Sequence, residues 1–169
     1  MLRSDLLPSR GRSEQGCSAG FTLIEMLVVI IIVAILAAIA LPAFINQARR
    51  AQQGEALTYI GAINRAQQAY RLDSITFADS IDRLNIGLAG NTQLYQYSVL
   101  EGSSRIAHAA AFPQDESLEG FSGVVYVSIN PDGTAVTSSK VCQGIRGSAP
   151  ALSFASAGTS INISGCDDL

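Results

Sequence analysis

Hydrophobic positions divide this chain into three stretches of different period. From Phe21 to Leu41, FTLIEMLVVIIIVAILAAIAL, only Thr22 and Glu25 are strongly polar, and neither Gly nor Pro interrupts the run before Pro42. About twenty apolar residues is the length of a helix that crosses a bilayer. Fourteen of these positions are Phe, Leu, Ile or Val. At roughly −0.3 to −0.6 kcal/mol each, they favour insertion by about 4 to 8 kcal/mol. Glu25 opposes this by about 3 kcal/mol at the bilayer centre and by less near one end. The segment is therefore expected to insert. A carboxylate in such a span marks a functional position by default, and the plainer reading is an anchor that tolerates an acid.

Pro42 lacks an N–H and crowds the preceding turn, so it is expected to weaken or kink the helix. The periodicity nevertheless continues. Ala43, Phe44, Ile45, Ala48, Ala51, Ala56, Leu57, Ile60, Ile63, Ala66, Ala69 and Tyr70 recur at steps of three and four, with Gln, Arg and Asn between them. This predicts an amphipathic helix with one face on a core. A single helix from about Thr22 to Leu72 would be about 75 Å long. Small residues Ala34, Ala37, Ala38 and Ala40 would let neighbouring helices approach its first half.

After Leu72 the pattern breaks, and Ser80 is a candidate N-cap for a short turn over 80–84. Period-two alternation then predicts strands at Leu94–Leu100, Arg105–Phe112, Val124–Ile129 and Thr134–Val141. Asn130-Pro-Asp-Gly133 between the last two is a turn signal and predicts a hairpin. The tail from Gly144 is rich in Ser, Gly and Ala, with Thr159–Ile163 as a weak extended candidate. An antiparallel sheet on the second half of the long helix buries both apolar faces, so the predicted class is α+β.

Ahead of the apolar run lies a hydrophilic leader, Met1–Gly20, with Arg3, Arg10 and Arg12 against Asp5 and Glu14. It is expected to be disordered, and its basic character places it on the cytoplasmic side of the membrane, with the remainder exported. The whole chain carries −3; without the leader's +1 it carries −4. That mild acidity argues against a dominant nucleic-acid surface. Cys17 lies in the leader, while Cys142 and Cys166 lie in the exported part. Two thiols in an oxidising compartment favour a bridge over a free pair. No Cys-x-x-Cys exists and the only His is His108, so neither a metal nor another cofactor is expected.

No nucleophile elbow, phosphate-binding glycine loop or H-E-x-x-H stands out, so the chain is not expected to be an enzyme. Asp115, Glu116 and Glu119 read as a solvated acidic loop. His108 reads as a core or edge histidine, and Arg49-Arg50 as helix-face charges or salt bridges to neighbouring subunits. Tyr59, Tyr70, Tyr95, Tyr97 and Tyr126 fit core and sheet faces better than a stacking platform for DNA.

Gly20, then Phe21-Thr-Leu-Ile-Glu25, then the apolar run, resembles the class III signal of type IV pilins and pseudopilins. The segment AINRAQQAYRLDSITFADSIDRLNIGL resembles the type IV pilin-like G/H family. The resemblance implies cleavage by a prepilin peptidase between Gly20 and Phe21, methylation of the Phe21 amine, and Glu25 as the acid used in filament assembly. Met26 stands where that family more often has Leu. Three parts follow: a cleaved leader at 1–20, a transmembrane and filament-core helix half at 21–42, and the amphipathic helix half plus globular head at 43–169. The implied function is a structural subunit of a type IV pilus serving adhesion, motility or DNA uptake. Its implied partners are other copies in a helical filament, the peptidase, the assembly platform and the inner membrane. It would be a single-pass inner-membrane protein with a periplasmic head before assembly, and part of an extracellular fibre afterwards. A pseudopilin of a type II secretion system shares this processing and is the alternative. A membrane-anchored enzyme or receptor domain, which predicts a convergent polar pocket, is the weaker one.

Overall fold

The structure, a computed structural model, describes residues 20–157 and 160–168. The leader's residues 1–19, Cys17 among them, and Thr159 lie outside the described residues. The chain forms two compact units that meet at Pro42/Ala43.

Helix α1 runs from Leu23 to Asp73 and contains Pro42. Its composition explains its persistence: Leu, Ala, Met, Gln, Glu and Arg, which lose little rotamer freedom in a helix, fill much of its length. Arg71 sits in the last turn, where a cation meets the negative end of the helix dipole. Its Nη1 donates to Ser74 O at 2.7 Å. In the first unit, residues 20–42 are exposed throughout.

In the second unit the strands are β1 (Tyr95–Gly102), β2 (Ile106–Pro113), β3 (Glu119–Ile129), β4 (Ala135–Arg146), β5 (Ser153–Ala157), β6 (Ser160–Ser164) and β7 (Asp167–Asp168). Five form one antiparallel sheet in the order β1-β2-β3-β4-β7, and β5 and β6 form a separate hairpin. Alternation along each strand sends Tyr95, Tyr97, Ala109, Ala111 and Phe121 toward Ala56, Ile60 and Ile63 of α1, and together they form the core. Small side chains on β2 and β3 let the helix approach. At Gly123 an added Cβ would lie 2.6 Å from Ile60 Cγ2 and closer still to the Asn64 amide oxygen.

Two buried amides tie this seam. Asn64 Nδ2 donates to Lys140 O at 3.2 Å. Gln67, fully buried, donates to Ala78 O at 2.9 Å and accepts from Ala78 N at 2.9 Å. One side chain thus completes both backbone groups of Ala78, each of which would cost about 1–3 kcal/mol if left unpaired. At the other end of the core Glu55 Oε1 accepts from Thr92 Oγ1 at 2.6 Å and from Tyr97 Oη at 3.4 Å. Tyr97 stacks on Tyr59 with ring centroids 4.8 Å apart. Burial and the nearby carboxylates of Glu119 and Glu55 push the Tyr95 phenol up to about 12, so it stays a donor, to Glu119 O at 2.9 Å.

The opposite face carries His108, Ala110, Ser122, Val124 and Cys142, all buried. His108 meets Phe154 of β5 edge-on at 5.3 Å. Cys142 of β4 is bonded to Cys166, 24 residues on. The bridge holds the end of the β5–β6 segment to the main sheet, and the adjacent β7 pairs with Cys142 and Gln143.

Several expectations are corrected here. The buried stripe of α1 begins at Ala56 rather than Ala43; Phe44 is 74% exposed, and Ala48, Ala51 and Ala69 are exposed as well. The core side of this helix instead includes Asn64 and Gln67. The turn after the helix is a 3-10 turn at Asp82–Leu84 capped by Ile81, with no side-chain cap from Ser80. Asp79 pairs with Arg83 at 3.3 Å across it. β3 begins five residues before the predicted strand; Ser122 and Gly123, residues of low strand propensity, are held by pairing on both sides, and Gly120 falls in a register shift. β5 and β7 were not expected. The predicted hairpin turn is present, with Gly133 at φ +86° and its N–H donating to Asn130 O at 2.9 Å.

Peptide mapping without reductant should recover Cys142 linked to Cys166. Replacing both by Ser should lower stability by about 3 kcal/mol, read by chemical unfolding; an unchanged midpoint would remove the bridge from any role in stability. A second prediction concerns pH. Burial pushes His108 below its ordinary value of 6.5. The unfolded chain therefore takes up a proton first as pH falls, and stability declines from about pH 6.5 downward. Thermal midpoints between pH 7.5 and 5 should fall further for the native chain than for His108→Leu; parallel curves would contradict this.

Candidate functional site

Two surfaces of the chain carry unusual chemistry. The first is the N-terminal half of α1. Thr22 precedes the first helical residue, and its Oγ1 accepts from Glu25 N at 3.3 Å. T-x-x-E is the spacing of a capping box, with Thr22 as the cap and Glu25 at the third helical position. Glu25 thus lies in the first turn, where the free N–H groups favour a carboxylate. Phe21 is 70% exposed and Gly20 is exposed with open space around it. The junction between them is therefore accessible. From Leu23 to Pro42 the helix shows apolar side chains all round its circumference, none of them buried. By length and composition it suffices to cross a membrane. Such a surface is stable in lipid or against other helices of the same kind.

The second surface is a polar cleft of about 420 Å³ in the second unit, lined by Asn46, Arg49, Arg50, Gln53, Ser117, Glu119, Gln143 and Arg146. Helix α1 supplies the first four, at helical spacing on one face. β3 and β4 supply the rest: Glu119 pairs with Arg146 across the two strands, and a register shift between Glu119 and Phe121 brings Gln143 beside them. The Gln143 amide donates to the Glu119 carboxylate. Glu119 is thus half-buried at the start of a strand, not part of a solvated loop with Asp115 and Glu116. Asp115 remains in the loop. Its carboxyl is held below the usual range by hydrogen bonds from Ser117 and by the Arg49 charge.

Of the residues singled out in the sequence, Gly20, Phe21 and Glu25 are adjacent at the helix start, Pro42 lies inside the helix, and Cys142 and Cys166 are bridged. His108 lies in β2, its Nε2 without a hydrogen-bond partner among the described residues, beside a groove that Glu101 also lines. Among the described residues no group of three or more His, Cys, Asp or Glu could hold a metal ion. The capping role of Thr22 was missed, although T-x-x-E was readable. Arg146 and Gln143 were missed because they join Arg49 and Arg50 only once β4 is paired with β3.

The prokaryotic N-terminal methylation motif matches residues 16–41. Type IV major pilin protein PilA of Myxococcus xanthus is 38% identical over 97 residues, 56% of this chain and 43% of that protein. A fimbrial protein of Moraxella nonliquefaciens is 62% identical over 39 residues, covering 23% of this chain and 25% of its own length. Fimbrial protein EcpC of Eikenella corrodens is 55% identical over 42 residues, 25% of this chain and 28% of that protein. The chain thus spans less than half the length of each of these relatives. No solved structure matches it. The family model described as Type IV pilin-like G and H matches residues 53–163, about two thirds of the sequence, and the chain belongs to that family.

Proposed function

We propose that this chain is a structural subunit of a type IV pilus filament, made as a prepilin and acting by polymerisation. The observation that carries the reading is the exposed apolar half of α1, headed by the Gly20–Phe21 junction and Glu25 and lying within the methylation-motif match. The names of the relatives, one a major pilin and two fimbrial proteins, point the same way.

A prepilin peptidase would cut after Gly20, removing the leader at 1–20, and the Phe21 amine would then be methylated. The new terminus carries a positive charge that secondary methylation keeps. Residues 21–42 rest in the inner membrane before assembly, with the head from Ala43 in the periplasm. The assembly platform then transfers the helix into a filament core, where Pro42 supplies a kink. A buried carboxylate and a buried ammonium are each costly alone, and pairing offsets much of that cost. The amine of an incoming subunit pairs with Glu25 of a subunit already in place and sets the axial register. An uncut leader moves the amine away, so only processed chains dock. The extracellular fibre would serve adhesion, motility or DNA uptake.

Gly20→Ala should cause the uncut chain to accumulate, seen as an intact mass that retains residues 1–20. A native filament form with that mass would overturn the processing step. Glu25→Ala should still insert in the membrane, since an unfavourable contribution of up to about 3 kcal/mol is removed. Filament yield, scored by electron microscopy of cells holding cleaved, membrane-bound variant, should nevertheless drop sharply. Normal filaments would show that Glu25 does not set register.

A further inference from the structure

We propose that the cleft between α1 and the β3–β4 end of the sheet is a binding site for the phosphate of a membrane phospholipid headgroup. The inference rests on the reading that residues 21–42 occupy a membrane before assembly.

Charge is the first argument. Outside residues 1–20 the chain has eight Lys and Arg residues and a net charge of −4. Three of those eight, Arg49, Arg50 and Arg146, line one cleft. None of the three forms an ion pair among the described residues; the pair found there is Arg83 with Asp79. Three guanidiniums share one lining carboxylate, Glu119, with Asp115 near Arg49, and an anion between them relieves the repulsion that remains. The remaining lining agrees. Asn46, Gln53 and Gln143 bring amide donors and Ser117 a hydroxyl. The only carboxylate lining the cleft belongs to Glu119, which already accepts from the Gln143 amide. Planar guanidinium forks beside amide donors suit a group with several charged oxygens, and phosphate fits better than a single carboxylate.

Position along the helix identifies the source. Arg49 follows Pro42 by seven residues in α1, a rise of about 10 Å. The headgroup layer extends roughly 5–8 Å beyond the hydrocarbon on each side, and an Arg side chain reaches back along its helix to such a layer. Arg49 and Arg50 alone would make an ordinary basic flank to a span. Arg146, on β4 and far away in sequence, makes it a built site, because strand pairing with Glu119 brings it to the same cleft. A lipid held there would keep the head beside the membrane until the helix is withdrawn into a filament.

The test uses the full chain in vesicles of a phosphate-free galactolipid containing a minority of phosphatidylglycerol. Flotation reads insertion, and native mass spectrometry after release reads retained phospholipid. The native chain should keep one phospholipid. Arg146→Gln should float equally but retain about tenfold less, the weight of one charge-assisted hydrogen bond. Arg146→Lys should recover part of the loss. Arg146 is exposed, and equal circular dichroism would show that the fold is intact. Inorganic phosphate added to vesicles of the galactolipid alone should leave no adduct. Equal retention by the native chain and Arg146→Gln would reduce the site to the charge of the helix flank and overturn the proposal. Displacement of the lipid by inorganic phosphate would overturn it in favour of a free anion. Failure of the native chain to float would instead overturn the membrane reading beneath it.

Discussion

A helix that is apolar around its whole circumference has no stable place in water, and the first half of α1 is such a helix. Every residue from Leu23 to Pro42 is exposed in the single chain. The core of the head is built on the second half of the same helix. The two halves obey different rules. The second half buries one stripe against a sheet; the first needs surroundings that are apolar on all sides. A bilayer meets that requirement, and so does a bundle of identical helices. The difference in free energy between those two environments is small, since lipid tails are as apolar as Leu. A carboxylate at the helix start is then well placed to decide between them. It contributes little that favours the bilayer and much in a bundle that supplies an ammonium group.

The head domain depends on close approach between helix and sheet. Gly123, with Ala109 and Ala111 on the neighbouring strand, creates a shallow trough into which Ile60 and Ile63 pack. Close approach buries polar positions of the helix along with the apolar ones, and this is why Asn64 and Gln67 are in the core. Asn64 donates to Lys140 O, and Gln67 serves both backbone groups of Ala78. A polar residue on the core side here fixes the course of the chain after the helix: Gln67 holds the segment at Phe77–Ala78, and Phe77 closes the second buried cluster with Ala107 and Val125.

The legible parts of the fold were those in which local pattern and tertiary environment agree. The apolar run, the helix that follows it, the alternation of Tyr95 and Tyr97 and the turn at Asn130–Gly133 all belong to this class. The illegible parts were decided by pairing. Ser122 and Gly123 give no strand signal, yet they lie in a strand with partners on both sides. The Ser- and Ala-rich tail forms a hairpin whose Phe154 packs on His108, and it is fastened at Cys166. The helix stripe was placed too early because Ala43, Phe44 and Ala48 keep the right period without a sheet beneath them. Of the candidate sites, the junction, Phe21 and Glu25 are contiguous in sequence and so were visible there. The arginine cleft joins α1 to β3 and β4, residues almost a hundred positions apart, and no spacing rule could show it.

That division bears on how one chain could serve two environments in turn, as the proposed function requires. On that proposal the apolar half exchanges one surrounding for another. The proposal requires no change in the core of the head or in its disulfide. Between the two lie residues 43–53, where Phe44, Asn46 and Arg50 are exposed and where the side chains that meet β3 and β4 are polar. A helix border held by core packing would resist transfer, because leaving one environment would disturb the head. A border held by charge and hydrogen bonds releases at modest cost once a new partner is offered. The late start of the buried stripe, at Ala56, therefore has a physical use: about a dozen helical residues are left for interactions that form and break outside the fold.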